Sequence, residues 1–346
     1  MKTKVLKINP KRPDKKSIRI AADVIKRGGL VIFPTETVYG IGADAYNFRA
    51  SKRIYKVKGR PYGNPLMIHV SSMKMARKIG IFPKKYDKIV CRLWPGPIAF
   101  VVDAKKGMRR KEVSIRMPSH KVALELIKQS NTPIAAPSAN ISRKPSSTNA
   151  KHALNYFDGK VDVIIDSGFS DKGLESTILD LRTFEIQRPG SFPVEQLTNA
   201  FGKMPLVTET SRGLKSAARA IAPGMKYKHY APDLPLYLYT GKHDQLFKIT
   251  KGIGKFAFIG SNETGNSIRK NAATVIQLGS RTSPDRIARH LFDGLIQLNS
   301  TNVDFAITEA FPERGIGLAI MNRLRKASSH RYFSTRKELL KYIKAL

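Results

Sequence analysis

Two basic residues one position apart, Lys58 and Arg60, are the side chains with the clearest chemical use in this 346-residue chain. Arg60 precedes Pro61, and a residue before proline favours an extended conformation. In an extended segment, side chains two positions apart point the same way, so both cations would face one ligand. The pattern predicts an anion-binding site. The alternative is a helix end that carries two solvated charges.

A small polar motif, Ser138-Ala139-Asn140, lies far downstream of the basic pair. It has no bulky side chain between its polar groups, so backbone N–H groups, a hydroxyl and an amide can all approach a phosphate closely. Together with Lys58 and Arg60, this motif predicts a site for a phosphorylated ligand.

Three further polar residues are candidates for binding a small ligand. Arg116 lies in an apolar strand, where a guanidinium needs a partner because an unpaired buried charge is costly. A bound carboxylate would match its geometry, and an internal Asp or Glu is the alternative. His69 can bind a hydroxyl or can be an ordinary core histidine. Thr37 and Thr35 can present hydroxyls to a ligand or can reflect the strand preference of threonine.

The composition restricts the class of partner more than the reaction. The chain has 62 Lys and Arg against 26 Asp and Glu, a formal charge of +36 that should attract polyanions, including nucleic acid. The cations are spread along the sequence, and no aromatic residues alternate with them as in a platform that stacks single strands. A generally basic surface is the alternative. The sequence contains no P-loop, no His-Glu-x-x-His, no cysteine cluster and no Gly-x-Ser-x-Gly.

The sequence also indicates a compartment. No apolar run is long enough to span a bilayer, so no membrane association is expected. The first residues show no hydrophobic region of a signal peptide. The single cysteine, Cys91, cannot form an internal disulfide. These features predict a cytoplasmic protein. Because Cys91 lies in an apolar stretch with helical spacing, we expect it to be a buried structural thiol.

The elements that must position these residues divide into two α/β domains. Residues 1–205 are expected to form a twisted mixed sheet, because predicted strands occur both as neighbours and separated by helices. Residues 206–234 are rich in Ser, Lys, Gly and Pro and are predicted to be an interdomain linker. Residues 235–346 alternate strands with helices, which predicts a smaller, Rossmann-like domain with a parallel sheet. Its Gly252-Ile253-Gly254 precedes a strand instead of following one, which argues against NAD binding.

The motifs as an ordered set resemble the L-threonylcarbamoyladenylate synthase (YrdC-like) family. This resemblance covers the first 205 residues and rests on Phe33–Gly40, Lys58-x-Arg60, Ser138-x-Asn140, Leu174–Thr177 and Arg188–Gly190. Two further motifs, Lys228–Pro232 in the linker and Gly317–Leu324, resemble the longer, two-domain form of the family. The match therefore spans nearly the whole chain.

The resemblance implies a reaction in which L-threonine, bicarbonate and ATP give threonylcarbamoyl-AMP and pyrophosphate, with Mg²⁺ accompanying ATP. It implies that a partner, a tRNA threonylcarbamoyl transferase, then modifies adenosine 37 of tRNAs that read codons starting with A. Lys58 and Arg60 are the expected catalytic residues. The expected ATP-binding residues are Lys58, Arg60, Asn64, Ser138, Asn140, Ser146, Arg188 and Tyr230. The expected threonine-binding residues are Thr37, His69, Arg116, Ala136 and Ser176.

The linker residues His229 and Tyr230 suggest a further role. Threonylcarbamoyl-AMP is a mixed anhydride that hydrolyses easily, so excluding water from it has clear value. We therefore hypothesise that the linker closes over the nucleotide site as a lid.

Two other functions remain open from the sequence. One is a noncatalytic RNA-binding module with double-stranded RNA as a candidate ligand, and the basic charge is also compatible with direct tRNA contact. The other is a hydrolase or editing factor of the aminoacylation type. Release of pyrophosphate from ATP that requires both L-threonine and bicarbonate would distinguish the synthase from both.

Overall fold

The computed structural model describes residues 2–215 and 229–345, which form two compact units. The first unit holds residues 2–142 and 146–215, and the second holds residues 143–145 and 229–345. The predicted linker begins at Leu206, but this residue pairs with a strand of the first unit. Its N–H donates to Phe184 O at 3.0 Å, and Ile186 N–H donates to Leu206 O at 2.9 Å. The described start of the predicted linker is therefore packed structure, while residues 216–228 lie outside the described residues.

The first unit is built around a mixed sheet, as the sequence predicts. Its strands are β1 Lys4–Lys7, β2 Val31–Phe33, β3 Gly40–Asp44, β4 Ile68–His69, β5 Gly80–Ile81, β6 Ile98–Ala104, β7 Glu112–Arg116, β8 Ile134–Ala135, β9 Val163–Asp166, β10 Thr177–Asp180 and β11 Glu185–Arg188. Its helices are α1 Lys15–Lys26, α2 Phe48–Lys58, α3 Met73–Ile79, α4 Asp87–Leu93, α5 Lys121–Ser130, α6 Ala150–Phe157, α7 Val194–Phe201 and α8 Glu209–Arg212. The strand order is β1-β9-β2-β3-β8-β4-β7-β6-β10-β11, with β5 beside β6.

Helix α1 shows how the sequence forms these elements. The Asp14 side chain accepts hydrogen bonds from the first backbone N–H groups of the helix, which have no partner inside it. The side chains at helical spacing, Ile18, Ala21, Ala22 and Ile25, are all fully buried. They join a core formed by α5 and the strands β2 and β9.

The centre of the sheet places the candidate residues side by side. Strand β4 lies between β7, to which it is parallel, and β8, to which it is antiparallel. This register sets His69 opposite Arg116 on one side and Ile134 on the other. Because neighbouring strands share their faces, the side chains of His69 and Arg116 point to the same side of the sheet.

The second unit has a fully parallel sheet, which confirms the predicted Rossmann-like arrangement. Its strands are β12 Leu236–Tyr239, β13 Phe256–Ser261, β14 Thr274–Gly279, β15 Phe305–Glu309 and β16 Tyr332–Phe333, in the order β14-β13-β15-β12-β16. Its helices are α9 Leu246–Thr250, α10 Asn262–Ile268, α11 Pro284–Gln297, α12 Gly317–Ala327 and α13 Arg336–Ile343.

A buried carboxylate joins the strand ends of the second unit. Glu309, the last residue of β15, is fully buried. Its carboxylate accepts hydrogen bonds from the Ser261 N–H at 2.6 Å, the Ser261 hydroxyl at 2.7 Å and the Thr264 hydroxyl at 2.8 Å. It also lies 3.0 Å from the Arg281 guanidinium and 2.8 Å from the His243 ring. We call these five residues the Glu309 network.

The short segment Arg143–Pro145 belongs to the second unit, although both of its neighbours in the chain belong to the first. Ala231 N–H donates to Arg143 O at 3.1 Å, and the Lys144 ammonium pairs with the Asp233 carboxylate. The segment is therefore held by residues that follow the predicted linker.

The expectation for the single cysteine is wrong. Cys91 is exposed rather than buried. Helix α4 has one apolar side that buries Val90, and Cys91 lies one position beyond it. Among the residues described, no helix is long and apolar enough to cross a membrane.

Candidate active site

Lys58 is a helical residue, so the prediction that it is extended is wrong. It is the last residue of α2, which ends because Gly59 adopts a left-handed conformation with φ of 58°. The alternative of a helix end with solvated charges is also wrong, because Lys58 is only 2% exposed. Its ammonium donates to the carbonyls of Ser138 and Asn140. The glycine turn thus directs the lysine inward, onto the small polar motif.

Arg60 follows this turn and is 9% exposed. Its backbone N–H donates to Tyr55 O and its guanidinium to Pro65 O, each at 2.9 Å. Asn64 is held in the same loop, since its N–H donates to Pro61 O at 3.0 Å and its carbonyl accepts from the Tyr55 hydroxyl at 3.0 Å. The loop therefore folds back on α2 and buries a second cation beside the first.

The small polar motif is ordered by its own side chains. The Ser138 hydroxyl donates to Asn140 Oδ1 at 2.6 Å, and Asn140 Nδ2 donates to Ile141 O at 2.8 Å. Nearby, the buried Ser146 hydroxyl donates to a Glu175 carboxylate oxygen at 2.7 Å.

The electrostatics of Lys58 link these groups. Burial lowers the pKa of Lys58 well below its usual value, Arg60 lowers it further, and Glu175 acts in the opposite direction. We call Lys58, Ser138, Asn140, Ser146 and Glu175 the Lys58 cluster.

Arg116 has an internal carboxylate partner, which is the alternative left open by the sequence. Its guanidinium lies 2.7 Å from the Glu36 carboxylate and donates to the Thr37 hydroxyl at 2.8 Å and to Gly96 O at 3.3 Å. Burial raises the pKa of Glu36, but Arg116 and the Ser119 N–H outweigh this and lower it overall. Glu36 is therefore an ionised partner that orients the guanidinium.

His69 is a buried neutral imidazole. It is 4% exposed, and its ring meets the Phe33 ring edge-on at 6.0 Å. Burial, and then the charge of Arg116, lower its pKa to about 3. Among the residues described, its Nδ1 atom has no hydrogen-bond partner. A neutral ring with an unused nitrogen is suited to a ligand hydroxyl.

Arg188 and Ser176 are held together by a close backbone approach. The Arg188 guanidinium donates to Ser176 O at 2.9 Å and to the Ser176 hydroxyl at 3.3 Å. Two residues later, a Cβ on Gly190 would lie only 2.3 Å from both Glu175 O and Ser176 C. The turn after β11 can therefore reach the Glu175–Ser176 backbone only with glycine at this position.

Met67 connects the remaining residues. The Ser176 hydroxyl lies 3.9 Å from its sulfur, and Ala136 N–H donates to its carbonyl at 2.8 Å. Met67 lies just before β4 and two positions before His69. Its contacts therefore connect Ser176 and Ala136, two of the predicted threonine-binding residues, to the strand that carries His69.

His229 and Tyr230 belong to the second unit. Tyr230 is 4% exposed and has a φ of 66°. Its ring lies 5.1 Å from the Phe292 ring and 5.6 Å from the Arg323 guanidinium carbon. The predicted lid residues Lys226–Lys228 lie outside the described residues.

Relatives with established names share this sequence over nearly its full length. The threonylcarbamoyl-AMP synthase of Pyrococcus abyssi is 42% identical over 333 residues, which cover 91% of this chain and 94% of the relative. That of Bacillus subtilis is 37% identical over 325 residues, which cover 90% of this chain and 92% of the relative.

This chain belongs to the threonylcarbamoyl-AMP synthase family.

Family models and a solved structure agree with this membership. A model described as "Telomere recombination" matches residues 23–190, and one described as "Threonylcarbamoyl-AMP synthase, C-terminal domain" matches residues 192–329. The crystal structure of P. abyssi Sua5 in complex with L-threonine superposes with a TM-score of 0.89 at 39% identity, and covers 96% of this chain and 100% of that one. The two-domain fold is therefore that of the synthase family.

Three residues of the site were given no role from the sequence. Glu36 and Glu175 lie inside motifs that characterise the synthase family, yet a carboxylate beside an expected anion site gives no obvious signal by itself. Their contacts with Arg116 and Ser146 show that they orient donors. Met67 resembles any apolar strand residue, and only the fold reveals its contacts.

Proposed function

We propose that this chain condenses L-threonine, bicarbonate and ATP into threonylcarbamoyl-AMP and pyrophosphate. Besides membership of the family, one observation carries this proposal. A fully buried lysine ends a helix against the carbonyls of a small polar loop, with a second buried cation two residues later. Such a site provides positive charge in a place from which water is largely excluded, as the transfer of a nucleotidyl group requires.

The chemistry needs cations and donors rather than a nucleophilic side chain. The amine of threonine forms a carbamate, with loss of water when it reacts with bicarbonate or of a proton when it reacts with CO₂. The carbamate carboxylate then attacks the α-phosphate of ATP while pyrophosphate leaves. Negative charge grows on the phosphates in the transition state, so that Lys58 and Arg60 stabilise it. An incoming anion also favours the charged form of Lys58, because an opposite charge nearby raises the pKa that burial has lowered.

The nucleotide is assigned to the residues around the Lys58 cluster. Lys58 and Arg60 face the triphosphate and the reacting carboxylate in this assignment. The residues assigned to the rest of the nucleotide are Asn64, Ser138, Asn140, Ser146 and Arg188.

Threonine is assigned to the residues around Arg116. A guanidinium has five N–H donors, so Arg116 can retain Glu36 while it binds the threonine carboxylate. The neutral His69 ring is suited to the threonine hydroxyl. The other residues assigned to threonine are Thr37, Ser176 and Ala136, the last through its backbone.

Mg²⁺ is proposed to accompany ATP and to share the charge of its phosphates. The chemistry of the product, an activated threonylcarbamoyl group, requires an acceptor, and we propose that a tRNA threonylcarbamoyl transferase delivers it to adenosine 37. A cytoplasmic location stays a prediction.

The lid role of His229 and Tyr230, and an ATP contact of Tyr230, also stay predictions. Deletion of residues 226–232 should increase the loss of threonylcarbamoyl-AMP to water. Unchanged coupling of ATP consumption to tRNA modification in that variant would contradict the lid.

The test of the proposed function is the substrate dependence of pyrophosphate release. We expect release from ATP only when both L-threonine and bicarbonate are present, and mass spectrometry should detect threonylcarbamoyl-AMP. Release that needs threonine but not bicarbonate would instead indicate amino-acid activation. No release under any combination would leave the noncatalytic RNA-binding function.

A further inference from the structure

Arg323, in helix α12 of the second unit, is a completely buried arginine outside the candidate active site. It is 0% exposed, and its Nη1 atom donates to Asn322 Oδ1 at 3.3 Å. Burying a charged side chain is costly unless its contacts compensate. Five lysine and arginine side chains are buried among the described residues, and the other four are assigned to the substrates: Lys58, Arg60, Arg116 and Arg188. Arg323 is therefore the buried cation that still lacks a role.

The ring beside Arg323 is that of Tyr230, which the sequence predicts to contact ATP. The Arg323 guanidinium carbon lies 5.6 Å from the centre of this ring, and the centre of the Phe292 ring lies 5.1 Å from it. Phe292 is also 0% exposed, so both contacts are formed away from water. A cation is attracted to an aromatic ring more strongly when water is excluded. We call Phe292 and Arg323 the Tyr230 support.

Tyr230 needs a support because its backbone is strained. Its φ of 66° lies in the left-handed region, which a bulky residue rarely adopts. Residues in such conformations persist only where their surroundings hold them. Arg143, with a φ of 77°, is a second case. The two are connected, because the N–H of Ala231, the residue after Tyr230, donates to Arg143 O at 3.1 Å.

A second set of contacts joins the same two segments. The Lys144 ammonium pairs with the Asp233 carboxylate, and the Asp233 N–H donates to Asn299 Oδ1 at 2.8 Å. The conformation of Arg143–Pro145 therefore depends on that of residues 230–233, which the Tyr230 support holds in place.

The segment Arg143–Pro145 lies in the chain between two residues assigned to ATP. Asn140 precedes it by three positions, and Ser146 follows it directly. Just before the segment, the Ser142 N–H donates to Lys58 O at 2.8 Å. A displaced segment would thus disturb residues that are assigned to the nucleotide.

The residues assigned to threonine have a different origin. His69 and Arg116 belong to the neighbouring strands β4 and β7, and the sheet fixes them. Loss of the Tyr230 support should therefore weaken the binding of ATP and leave the binding of threonine unchanged.

We propose that Arg323 is a positioning residue for ATP. It holds Tyr230 in the left-handed conformation and thereby fixes the segment Arg143–Pro145 next to Ser146. This inference rests on the proposed function, which assigns ATP to that loop. It gives the second unit a part in the reaction, because this unit orders a loop that binds the nucleotide.

The test measures the affinity of the full-length chain for the Mg²⁺ complex of α,β-methylene-ATP by isothermal titration calorimetry. This analogue cannot release pyrophosphate, so its binding is measured without reaction. Arg323→Met should weaken binding by about 3- to 30-fold, the factor that corresponds to a contact between a cation and a ring away from water. The affinity for L-threonine, measured in the same way, should equal that of the parent chain.

Phe292→Leu tests the same support without removing a charge. Leucine keeps an apolar side chain in the core but loses the contact between the two rings, which should weaken binding of the analogue by about 2- to 10-fold. Circular dichroism and urea unfolding establish that each variant is folded. If Arg323→Met does not fold, Phe292→Leu decides the question, and an affinity equal to that of the parent chain overturns the proposal.

Arg325→Met is the matched control. Arg325 lies in the same helix, its side chain is 11% exposed, and its guanidinium lies 2.5 Å from the Glu313 carboxylate. The control therefore removes a cation from α12 two positions beyond the Tyr230 support, and it should bind the analogue as the parent chain does. Equal weakening in Arg325→Met and Arg323→Met would show a general effect of disturbing the helix and would overturn the proposal.

A Tyr230→Ala background shows whether Arg323 acts through the ring. In that chain, the further change Arg323→Met should leave the affinity for the analogue unchanged, because the contact that it removes is already lost. A merely structural role of Arg323 predicts instead that the two losses of affinity add. Additive losses, or a weaker binding of L-threonine in Arg323→Met, would overturn the proposal.

The binding measurements separate this proposal from the proposed function. If the parent chain binds the analogue but releases no pyrophosphate from ATP, L-threonine and bicarbonate, the proposed function fails while the comparison of affinities remains valid. If release is normal and Arg323→Met binds the analogue as the parent chain does, only the role of Arg323 fails.

Discussion

The Lys58 cluster in the first unit and the Glu309 network in the second both bury a charged side chain at the end of an element, but they treat that charge differently. Glu309 is surrounded by hydroxyl, N–H and guanidinium donors. Burial raises its pKa, yet the contacts with His243 and Ser261 outweigh burial and lower it overall. For a carboxyl group, a lowered pKa means that the folded chain favours the charged form.

Lys58 shows the opposite balance. Its ammonium has two carbonyl partners, and the cation of Arg60 is close. A lowered pKa in a lysine means that the fold disfavours the charge that it buries. The Glu309 network is therefore electrostatically complete, whereas the Lys58 cluster becomes so when an anion binds. The comparison indicates that the Glu309 network is organised for stability and the Lys58 cluster for binding a ligand.

The strongest test of this difference is Glu309→Ala. Breaking a buried charged network by removing one partner lowers the free energy of unfolding by about 3–5 kcal/mol, because the remaining donors are left buried. Urea unfolding should show this loss, while pyrophosphate release per folded molecule stays within about twofold. Asp23→Ala is the control, since its surface pair with Lys26 contributes about 1 kcal/mol at most. A Glu309 variant as stable as this control would contradict the network.

Lys58→Met should show the reverse pattern. Pyrophosphate release should fall by about 10²–10³-fold, the usual effect of removing one preorganised donor to a charge that develops in the transition state. The free energy of unfolding should change by only about 1 kcal/mol, because the lost hydrogen bonds are offset by removal of an unfavourably buried charge. Stability is measured by urea unfolding beside the kinetic assay. A variant that keeps a tenth of the activity would remove Lys58 from the reaction.

Arg60→Ala should have a smaller kinetic effect. Loss of a charged hydrogen bond costs about 1.5–3 kcal/mol, which corresponds to at least a tenfold slower turnover. Arg60→Lys should recover part of this loss, since it restores the charge but not the planar donor geometry. Steady-state pyrophosphate release measures both variants. Turnover within threefold of the parent chain in Arg60→Ala would argue against its placement at the phosphates.

The pH dependence of stability gives the finest test. The pKa of His69 is about 3 in the folded chain and near 6.5 when unfolded, so the unfolded chain binds the extra proton between these values. Stability therefore falls as the pH drops below about 6.5, by up to about 1.4 kcal/mol per pH unit. Glu309, whose pKa is lowered from 4.5, loses its contribution only at lower pH.

His69→Gln should remove the His69 contribution to this slope between pH 6.5 and pH 5, and leave the smaller contribution of His120, whose pKa burial also lowers. Urea unfolding at the two pH values gives the difference for the variant and for the parent chain. His330→Gln is the comparison in the second unit: partial burial, and then the charge of Lys326, lower the pKa of His330 less than that of His69, so this variant should keep most of the slope. Parallel slopes in the parent and His69→Gln chains would show that the His69 ring is not buried in its neutral form.

The sequence predicted the elements around the site better than the directions of its side chains. Helix α1 and its four buried positions follow from spacing alone. The inward turn of Lys58 does not, because it depends on the left-handed Gly59 and on carbonyls some eighty residues away. Glu36 is similar, since its pairing with Arg116 requires two distant segments to meet. Local patterns encode helices and strands, whereas partners of buried charges are set by tertiary packing.

The placement of Arg143–Pro145 in the second unit has a consequence for expressing the N-terminal half of the chain by itself. A fragment that stops near residue 205 would retain Arg143 and Lys144 but lose Ala231 and Asp233, which bond to them. The loop that leads to Ser146 would then lack its supports. Co-expression of the two halves from separate genes is thus expected to restore more activity than expression of the N-terminal half alone. A family member that consists only of that half must hold the loop before Ser146 with other contacts.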